Sequence, residues 1–433
     1  MQRIPQDLPA VLTDSVVSAL GCRIDLMIQL ELRFGHQLDA TRLARALDLL
    51  LDAEPVLGCR LVEVDGPPHW VRLAPAERQC LQQVEGQAGY DAFVERSADT
   101  HRGPQVTAGL WSAEDGDRVA LKVAHEAADA GGVKHLTARL SAIYERLRTD
   151  PAYRPEPNLD GARDPGQVLR LVPWRERPGI WLRYLLELGR FSSPWRSLRP
   201  PIEAGPPRGL RFHRRDLAPS LVQPLAAWGR ARGATLNDLF LAAFFRALVA
   251  VAGWDGRTPL RASMTHDLRR HLPQRRAGGI CNLSAIEFLR LPLPLGDDLA
   301  GTLERVVSVT RRSKAHWGGL NAYVGLFPAA RVLSHAGLKR LVAAFLDRSV
   351  RGRHFPPGLT NMGPLDPAAL VFEAPPDHAR LLVPPIHPPG LGVGLSGYRG
   401  GLSLSAGIYP STGGDRVAEG LFEAMIGEFA RVV

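Results

Sequence analysis

The chain has 433 residues, of which 45% are hydrophobic and 22% charged, a composition typical of a globular protein rather than a disordered or coiled-coil one. Its formal net charge is +9, but the basic residues are scattered, and no cluster of about five to eight of them indicates a nucleic-acid-binding arm. No segment has the apolar length of a signal peptide or a membrane span, so we expect a cytoplasmic protein with no transmembrane segment and no nucleic-acid partner.

The first half of the chain alternates between strand and helix patterns. Residues 24–34 alternate apolar and polar side chains, which predicts a long strand with one buried face. Leucines at helical spacing follow between Asp39, in the place of an N-cap, and Pro55, just past the last turn. A second strand pattern covers residues 118–125 and ends in a histidine, and a helix pattern follows over residues 133–147.

The middle of the chain changes in composition. Residues 150–208 are rich in proline, glycine and charge, which is typical of a linker or a surface crossover, with one short helix predicted at residues 181–191. We therefore divide the chain into an N-terminal lobe (residues 1–165), a linker or crossover (166–207) and a C-terminal lobe (208–433).

The second half begins with an apolar helix pattern. Thr235 and Asp238 stand in a capping-box relation at its start and Gly253 at its end, and its apolar character all round predicts burial between other layers. Strand patterns follow at residues 260–264, 283–291 and 402–408, and an amphipathic helix pattern at residues 417–429. These patterns predict an α/β fold of two lobes joined by a long connection.

Several motifs of cofactor and metal sites are incomplete. Gly392, Gly394 and Gly397 match the dinucleotide-binding pattern G-x-G-x-x-G, but a proline-rich loop precedes them and a strand pattern follows, so we interpret them as glycines of a loop or bent strand near the lobe junction. His125 and Glu126 begin like the zinc motif H-E-x-x-H, but residue 129 is an aspartate. The four cysteines are far apart with no C-x-x-C pair. We predict no metal and no bound cofactor.

The segment around His125 is the most informative part of the sequence. A strand pattern ends at His125, a short turn follows, and a helix begins near Asp129. Imidazole titrates near neutral pH, so a histidine fixed in such a turn is suited to act as a general base, although a lone histidine is more often a structural residue. Asp129 is placed to cap the helix or to pair with an arginine, and Gly131 and Gly132 permit close approach of backbone or ligand.

The sequence H-E-A-A-D-A-G-G at residues 125–132 resembles the second half of the H-H-x-x-x-D-G motif of the condensation-domain superfamily. This superfamily includes nonribosomal peptide condensation domains, chloramphenicol acetyltransferase, wax ester synthases and polyketide-associated acyltransferases. Four further segments, in the same order along the chain, resemble other conserved parts of the superfamily, and together they span nearly all of it: residues 233–248, 265–292, 359–366 and 397–409.

The resemblance implies two chloramphenicol-acetyltransferase-like lobes arranged in a V with a tunnel between them. It implies acyl transfer from a phosphopantetheine thioester, as acyl-CoA or on an acyl carrier protein, to a hydroxyl or amine of a small-molecule acceptor. His125 corresponds to the catalytic histidine and would accept the proton of the acceptor, without an acyl-enzyme. Asp129 corresponds to the aspartate that pairs with an arginine of the C-terminal lobe, for which Arg269 is the best match.

Other residues are assigned less specific roles. Gly131 and Gly132 are expected to contact the pantetheine arm. Asn361 and Gly363 are expected to shape a turn near the tunnel, with ordinary turn chemistry as the equal alternative.

The chain departs from the motif at two positions. Ala124 replaces the first histidine, and Ala130 replaces the glycine after the aspartate. These departures leave two alternatives to acyl transfer open: non-acylating chemistry of the cyclase or epimerase type, and a carrier-protein-binding module without catalysis.

Overall fold

The structure is a computed structural model that describes residues 3–63, 68–191, 196–315, 317–321, 323–324 and 333–433. The fold is α/β, as the sequence predicts. The strands are β1 (Asp7–Pro9), β2 (Met27–Arg33), β3 (Cys59–Val62), β4 (His69–Arg72), β5 (Leu81–Gln83), β6 (Val106–Ala113), β7 (Gly116–Ala124), β8 (Arg211–Leu217), β9 (Arg261–Asp267), β10 (Ser284–Arg290), β11 (Gly358–Pro364), β12 (His378–Leu382), β13 (Gly392–Tyr398) and β14 (Gly401–Ile408). The helices are α1 (Leu12–Leu20), α2 (Ala40–Ala53), α3 (Gly86–Glu95), α4 (Ala130–Thr149), α5 (Gly166–Leu169), α6 (Arg177–Phe191), α7 (Pro219–Arg230), α8 (Leu236–Ala252), α9 (Leu299–Lys314), α10 (His335–Arg351) and α11 (Gly414–Phe429).

Two large sheets organise the molecule, each with its own hydrophobic core. The first has five strands in the order β12-β2-β7-β6-β5, and α2 and α4 contribute side chains to its core. The second has six strands in the order β10-β9-β11-β13-β14-β8, with α8 packed against α7, α9, α11 and β11. A small sheet of order β1-β4-β3 completes the described strands.

Strand β2 is buried on both faces, and the expectation of a single buried face is wrong. The strand starts at Met27, and Ile24 contributes only an isolated bridge before it. The polar residues Gln29 and Glu31 are 2% and 6% exposed. Glu31 is satisfied in the interior because Arg214 and Arg380 both donate hydrogen bonds to its carboxylate, at 2.7 to 2.9 Å.

Strand β12 connects the two predicted lobes of the chain. It falls within residues 208–433, yet it pairs antiparallel with β2 in the first sheet, with His378 opposite Arg33 and Leu382 opposite Gln29. The second half of the chain therefore supplies an edge strand to the sheet of the first half. The segment 166–207, expected to be a linker, contains the helices α5 and α6.

The glycines at 392, 394 and 397 lie in β13, a strand whose residues are all buried, so they do not form a loop. Strand β13 lies between β11 and β14 in the second sheet. A Cβ atom at Gly394 would lie 2.8 Å from side-chain atoms of Met362, Ser405 and Val383, so glycine is required there by close packing.

The apolar helix α8 has the predicted boundaries. Oγ1 of Thr235 accepts a hydrogen bond from the backbone N of Asp238 at 3.3 Å, and Oδ2 of Asp238 accepts one from the backbone N of Thr235 at 2.9 Å. Gly253 ends the helix with φ of 62°. Within the described ranges, no helix is long and apolar enough to cross a membrane, α8 included.

Candidate active site

His125 directly follows the last residue of β7, and its backbone is fixed by the sheet. Its N–H donates to the carbonyl oxygen of Leu26 at 2.8 Å, and the N–H of the preceding Ala124 donates to the carbonyl oxygen of Gln105 at 2.8 Å. The N–H of Ala127 then donates back to the carbonyl oxygen of Ala124 at 3.1 Å, which closes a tight turn. The end of a central strand and this turn therefore define the position of the imidazole.

The imidazole ring of His125 makes its hydrogen-bond contacts through Nδ1. Its Nδ1 lies 3.1 Å from the carbonyl oxygen of Ala128 and 3.1 Å from Oδ1 of Asn282. Both partners are acceptors, so Nδ1 carries the hydrogen and Nε2 carries the lone pair of the neutral ring. Burial lowers the pKa of His125, although Asp129 and these hydrogen bonds act in the opposite direction. The ring is therefore neutral near pH 7, with Nε2 as its basic atom.

Asn282 fixes both the ring and the turn, and it is not among the residues singled out from the sequence. Its Nδ2 donates to the carbonyl oxygens of His125 and Glu126, at 2.8 and 3.0 Å, while its Oδ1 faces Nδ1 of His125. Two backbone acceptors and one ring donor define the orientation of the side-chain amide, which is 2% exposed. The sequence signal was present, because Asn282 lies in the segment 265–292 that resembles the condensation-domain superfamily.

Asp129 and Arg269 are brought together across the two lobes. Asp129 caps α4 by accepting from the N–H of Gly132 at 2.8 Å, and its Oδ2 accepts from Arg269 at 2.9 Å and from the N–H of Leu283 at 2.7 Å. Arg269 follows β9 and also donates to the carbonyl oxygen of Cys281 at 2.9 Å. Asp129 and Arg269 are 2% and 7% exposed. The ion pair thus joins the start of α4 to the second sheet.

The electrostatics of this ion pair favour its charged form. Burial alone would raise the pKa of Asp129, but the Arg269 guanidinium and the hydrogen bonds hold this pKa below its usual range. Burial would lower the pKa of Arg269, and Asp129 raises it above its usual range. Burial also raises the pKa of the nearby Cys281 thiol to about 12, so this cysteine is not a thiolate nucleophile at neutral pH.

Gly131 and Gly132 lie in the first turn of α4 and pack against the second lobe. A Cβ at Gly131 would lie 2.5 Å from Nη1 of Arg269, and a Cβ at Gly132 would lie 3.1 Å from the carbonyl oxygen of Cys281. These glycines thus permit close packing of α4 against Arg269 and Cys281 of the second lobe. Their contact with a substrate stays a prediction. Ala130 is helical, so its methyl group needs no special backbone conformation.

Asn361 and Gly363 form a bulge in β11. Oδ1 of Asn361 accepts from the N–H of Gly363 at 2.9 Å, and Gly363 has φ of 75°. Nζ of Lys134, on α4, donates to the carbonyl oxygen of Met362 between them at 2.9 Å. The structure therefore shows Asn361 and Gly363 in a turn that is attached to α4 through Lys134. Their role near a tunnel stays a prediction.

A cavity of about 530 Å³ lies beside this site, between α1, the chain leading into β2 and helix α10. Glu126, the residue after His125, forms part of its wall, and Lys339 and Arg340 line it from α10. Two ion pairs attach α10 to the first half of the chain: Lys339 pairs with Glu63, just after β3, at 2.6 Å, and Asp347 pairs with Arg23, in the chain leading into β2. The cavity therefore lies where the two halves of the chain meet.

Metal ligands are not grouped in the part of the chain that the structure describes. No set of three or more His, Cys, Asp and Glu side chains there is arranged to hold a metal ion. The chemistry that the site offers is that of a histidine base next to a buried ion pair.

Similar folds occur among solved structures. The first condensation domain of the calcium-dependent antibiotic synthetase, in complex with a substrate analogue, is 19% identical with a TM-score of 0.70, and the match covers 99% of this chain and 96% of that one. The trichothecene 15-O-acetyltransferase from Fusarium sporotrichioides is 12% identical with a TM-score of 0.70, covering 98% and 95%. The epimerization domain from the third module of tyrocidine synthetase B is 13% identical with a TM-score of 0.64, covering 99% and 97%.

No protein-family model and no curated protein sequence matches the chain. The similarity is therefore one of fold, over nearly the full length of the chain and of each of these three structures. The chain has the α/β fold of these condensation, epimerization and acetyltransferase structures, with two chloramphenicol-acetyltransferase-like lobes.

Proposed function

We propose that the protein is an acyltransferase that moves an acyl group from a phosphopantetheine thioester to a hydroxyl or amine, with His125 as the general base. One observation carries this proposal: Nδ1 of His125 faces two oxygen acceptors, which makes Nε2 the basic atom of a neutral ring. A neutral imidazole with its lone pair on Nε2 can accept the proton of a hydroxyl or amine acceptor.

The proposed reaction is a direct transfer. Nε2 of His125 accepts the proton of the acceptor while the acceptor oxygen or nitrogen bonds to the thioester carbonyl carbon. The carbon–sulfur bond of the tetrahedral intermediate then breaks, and the proton on Nε2 passes to the leaving thiolate. General-base help of this kind contributes about 10²–10⁴ in rate, and the positioning of the two substrates contributes further.

The surrounding residues have positioning roles in this proposal. Asn282 keeps the imidazole in the tautomer with a free Nε2. The Asp129–Arg269 pair joins the start of α4 to the second sheet, so the turn that carries His125 keeps its place relative to the second lobe. None of these three residues exchanges a proton with the substrates.

The donor is proposed to be acyl-CoA or an acyl carrier protein. The long and nearly neutral pantetheine arm suits a channel between lobes, and the net charge of +9 is attractive to CoA phosphates and to acidic carrier-protein helices alike. The fold is shared with an epimerization domain, so non-acylating chemistry is the second candidate, and carrier-protein binding without catalysis is the third.

A donor comparison tests the proposal. The same acyl group is offered on CoA, on a carrier protein and on a short pantetheine analogue, with a panel of alcohols and amines, and both thiol release and acylated product are measured. We expect product with at least one donor, most readily with acyl-CoA. If none of the three is turned over, the acyltransferase proposal is wrong. Binding of the carrier protein without turnover would favour the binding module, and epimerised or cyclised product the second candidate.

A further inference from the structure

Glu126 is a buried carboxyl group with one oxygen, Oε2, left without a hydrogen bond by the described residues. The residue is 2% exposed, and within the described part of the chain its Oε2 has no hydrogen-bond partner. Native structures leave few buried polar atoms unsatisfied, because a buried carboxylate without a hydrogen bond or a cation costs free energy. Such a group beside a cavity is a candidate for binding a ligand.

Other buried or half-buried carboxylates near Glu126 already have partners. Asp14 accepts two hydrogen bonds from Arg163, at 2.9 and 3.0 Å. Glu63 lies 2.6 Å from Nζ of Lys339 and 3.0 Å from Nε2 of His335. Glu126 differs from both because no side chain of the described ranges supplies it with a hydrogen bond or an ion pair.

Burial destabilises the carboxylate form of Glu126. Burial, together with the carboxylates of Glu63 and Asp14, raises the pKa of Glu126 to about 7, although its own backbone N–H and His101 act in the opposite direction. A cation placed beside the carboxyl would act in the direction opposite to burial, because it would stabilise the carboxylate form.

Glu126 is also fixed relative to the proposed base. The carbonyl oxygens of His125 and Glu126 both accept from Nδ2 of Asn282. Glu126 forms part of the wall of the cavity of about 530 Å³, and its Cα is one peptide unit, about 3.8 Å, from that of His125. The cavity wall thus carries a carboxyl group at the residue next to the proposed base.

We propose that the acceptor carries a protonated amine, which binds the Glu126 carboxylate while a separate hydroxyl or neutral amine of the same molecule is presented to His125. The inference rests on the proposed function. The bound ammonium is not the reacting group, because a protonated amine has no lone pair with which to attack the thioester carbonyl. Amino alcohols and diamines have the required pair of groups.

Matched acceptors test this inference. Binding of an α,ω-amino alcohol is compared by calorimetry with that of the alkanol in which a methyl group replaces the amine, at about pH 8, where the amine is protonated. The proteins are the wild type, Glu126→Gln and the control Glu423→Gln on the exposed face of α11. We expect the wild type and the control to bind the amino alcohol at least about tenfold more tightly than the alkanol. We expect Glu126→Gln to bind the two compounds with similar affinity.

The second variant is Glu126→Asp, which keeps the charge but withdraws it by one methylene group. We expect it to retain part of the preference. Equal binding of the two acceptors by the wild type, or a preference that persists in Glu126→Gln, would overturn the inference.

Acyl transfer to the same two acceptors separates the inference from the proposed function. If a thioester is turned over but kcat/KM shows no dependence on the amine, the inference is wrong and the acyltransferase proposal stands. If the Glu126-dependent binding is observed and no thioester is turned over, the acyltransferase proposal is wrong and the binding site stands.

Discussion

At the scale of single residues, the position of one hydrogen atom determines what the site can do. Nδ1 of His125 faces the carbonyl oxygen of Ala128 and Oδ1 of Asn282, and this leaves the lone pair on Nε2. Asn282 is itself oriented by the carbonyl oxygens of His125 and Glu126. The proposed general base is thus oriented by Asn282 from the second lobe, and this contact is open to a direct test.

Replacing Asn282 with alanine is expected to lower kcat/KM by about 10²-fold, because the imidazole loses one of the contacts that orient it. The hydrogen bond from Nδ1 to Oδ1 favours the protonated ring, so its loss lowers the pKa of His125, and the acid limb of the pH–rate profile moves to lower pH. Asn282→Asp places a negative charge at the same site and is expected to move that limb to higher pH. The measurement is kcat/KM against pH for both variants.

The matched control is Asn237→Ala on α8, which is expected to leave the rate and the profile unchanged. If both Asn282 variants lose activity without any movement of the acid limb, Asn282 supports the fold only and does not position the base.

Residue-scale prediction from the sequence depended on the resemblance of residues 125–132 and of the later segments to the condensation-domain superfamily. The structure shows the expected contact between Asp129 and Arg269, and the catalytic role of His125 stays a prediction. Asn282 was not assigned a role although it lies in the segment 265–292 that resembles the superfamily, and its hydrogen bond to His125, 157 positions away, is visible only in the structure. Glu126 was considered only as part of an incomplete zinc motif, and its burial became visible only in three dimensions.

At the scale of elements, the start of α4 is attached to the second sheet through Asp129. The carboxylate caps the helix at Gly132 and accepts hydrogen bonds from Arg269 and Leu283. A single side chain thus satisfies a helix terminus and an arginine from the other lobe. Removing either charge leaves the other buried without a partner.

A double-mutant cycle on Asp129 and Arg269 is therefore expected to show strong coupling. Each single alanine substitution should lower the free energy of unfolding by about 3–5 kcal/mol, and the double variant by clearly less than the sum. Because the pKa of Asp129 is depressed in the folded state, its contribution is full above the ordinary carboxyl pKa of about 4 and is lost as the pH falls further. Urea unfolding at neutral and acidic pH measures both effects.

The exposed pair of Asp115 and Arg118 on the first sheet serves as the control, and its cycle should show little coupling. Strictly additive effects for Asp129 and Arg269 would contradict the account, since they would show that the two residues do not act as a pair.

Helices and strands were predicted best where the residues that begin and end them are recognisable in the local sequence. Helix α8 has its capping box and its terminal glycine in sequence, and both are found in the structure. Strand β2 was given one buried face because the side chains alternate, but Arg214 and Arg380 cover the other face and neutralise Glu31 there. The two arginines lie 183 and 349 positions away, so the local pattern had no access to them.

At the scale of the whole molecule, the two lobes are not independent stretches of chain. Strand β12 belongs to the second half by sequence and pairs with β2 in the first sheet. The pairs Asp129–Arg269, Lys339–Glu63 and Arg23–Asp347 connect the same halves elsewhere. The lobes are thus held together on either side of the turn that carries His125.

The alternation of strand and helix patterns predicted two α/β lobes, and the structural similarities support that fold. The sequence patterns did not predict that β12, from the second half of the chain, belongs to the first sheet. Its five residues have an unremarkable strand pattern, and their partner β2 is more than 300 positions away. Sheet membership at that separation is determined by the packing of the whole chain rather than by local sequence.

The most direct test of the account is the rate of acyl transfer by His125→Ala. It is measured with the donor and acceptor that the wild type uses best, beside the control His213→Ala, whose histidine pairs with Asp415 in the second lobe. The account predicts that His125→Ala folds with a thermal midpoint close to that of the wild type and transfers the acyl group about 10²–10⁴ times more slowly, while the control keeps its rate. Wild-type turnover by folded His125→Ala would contradict it.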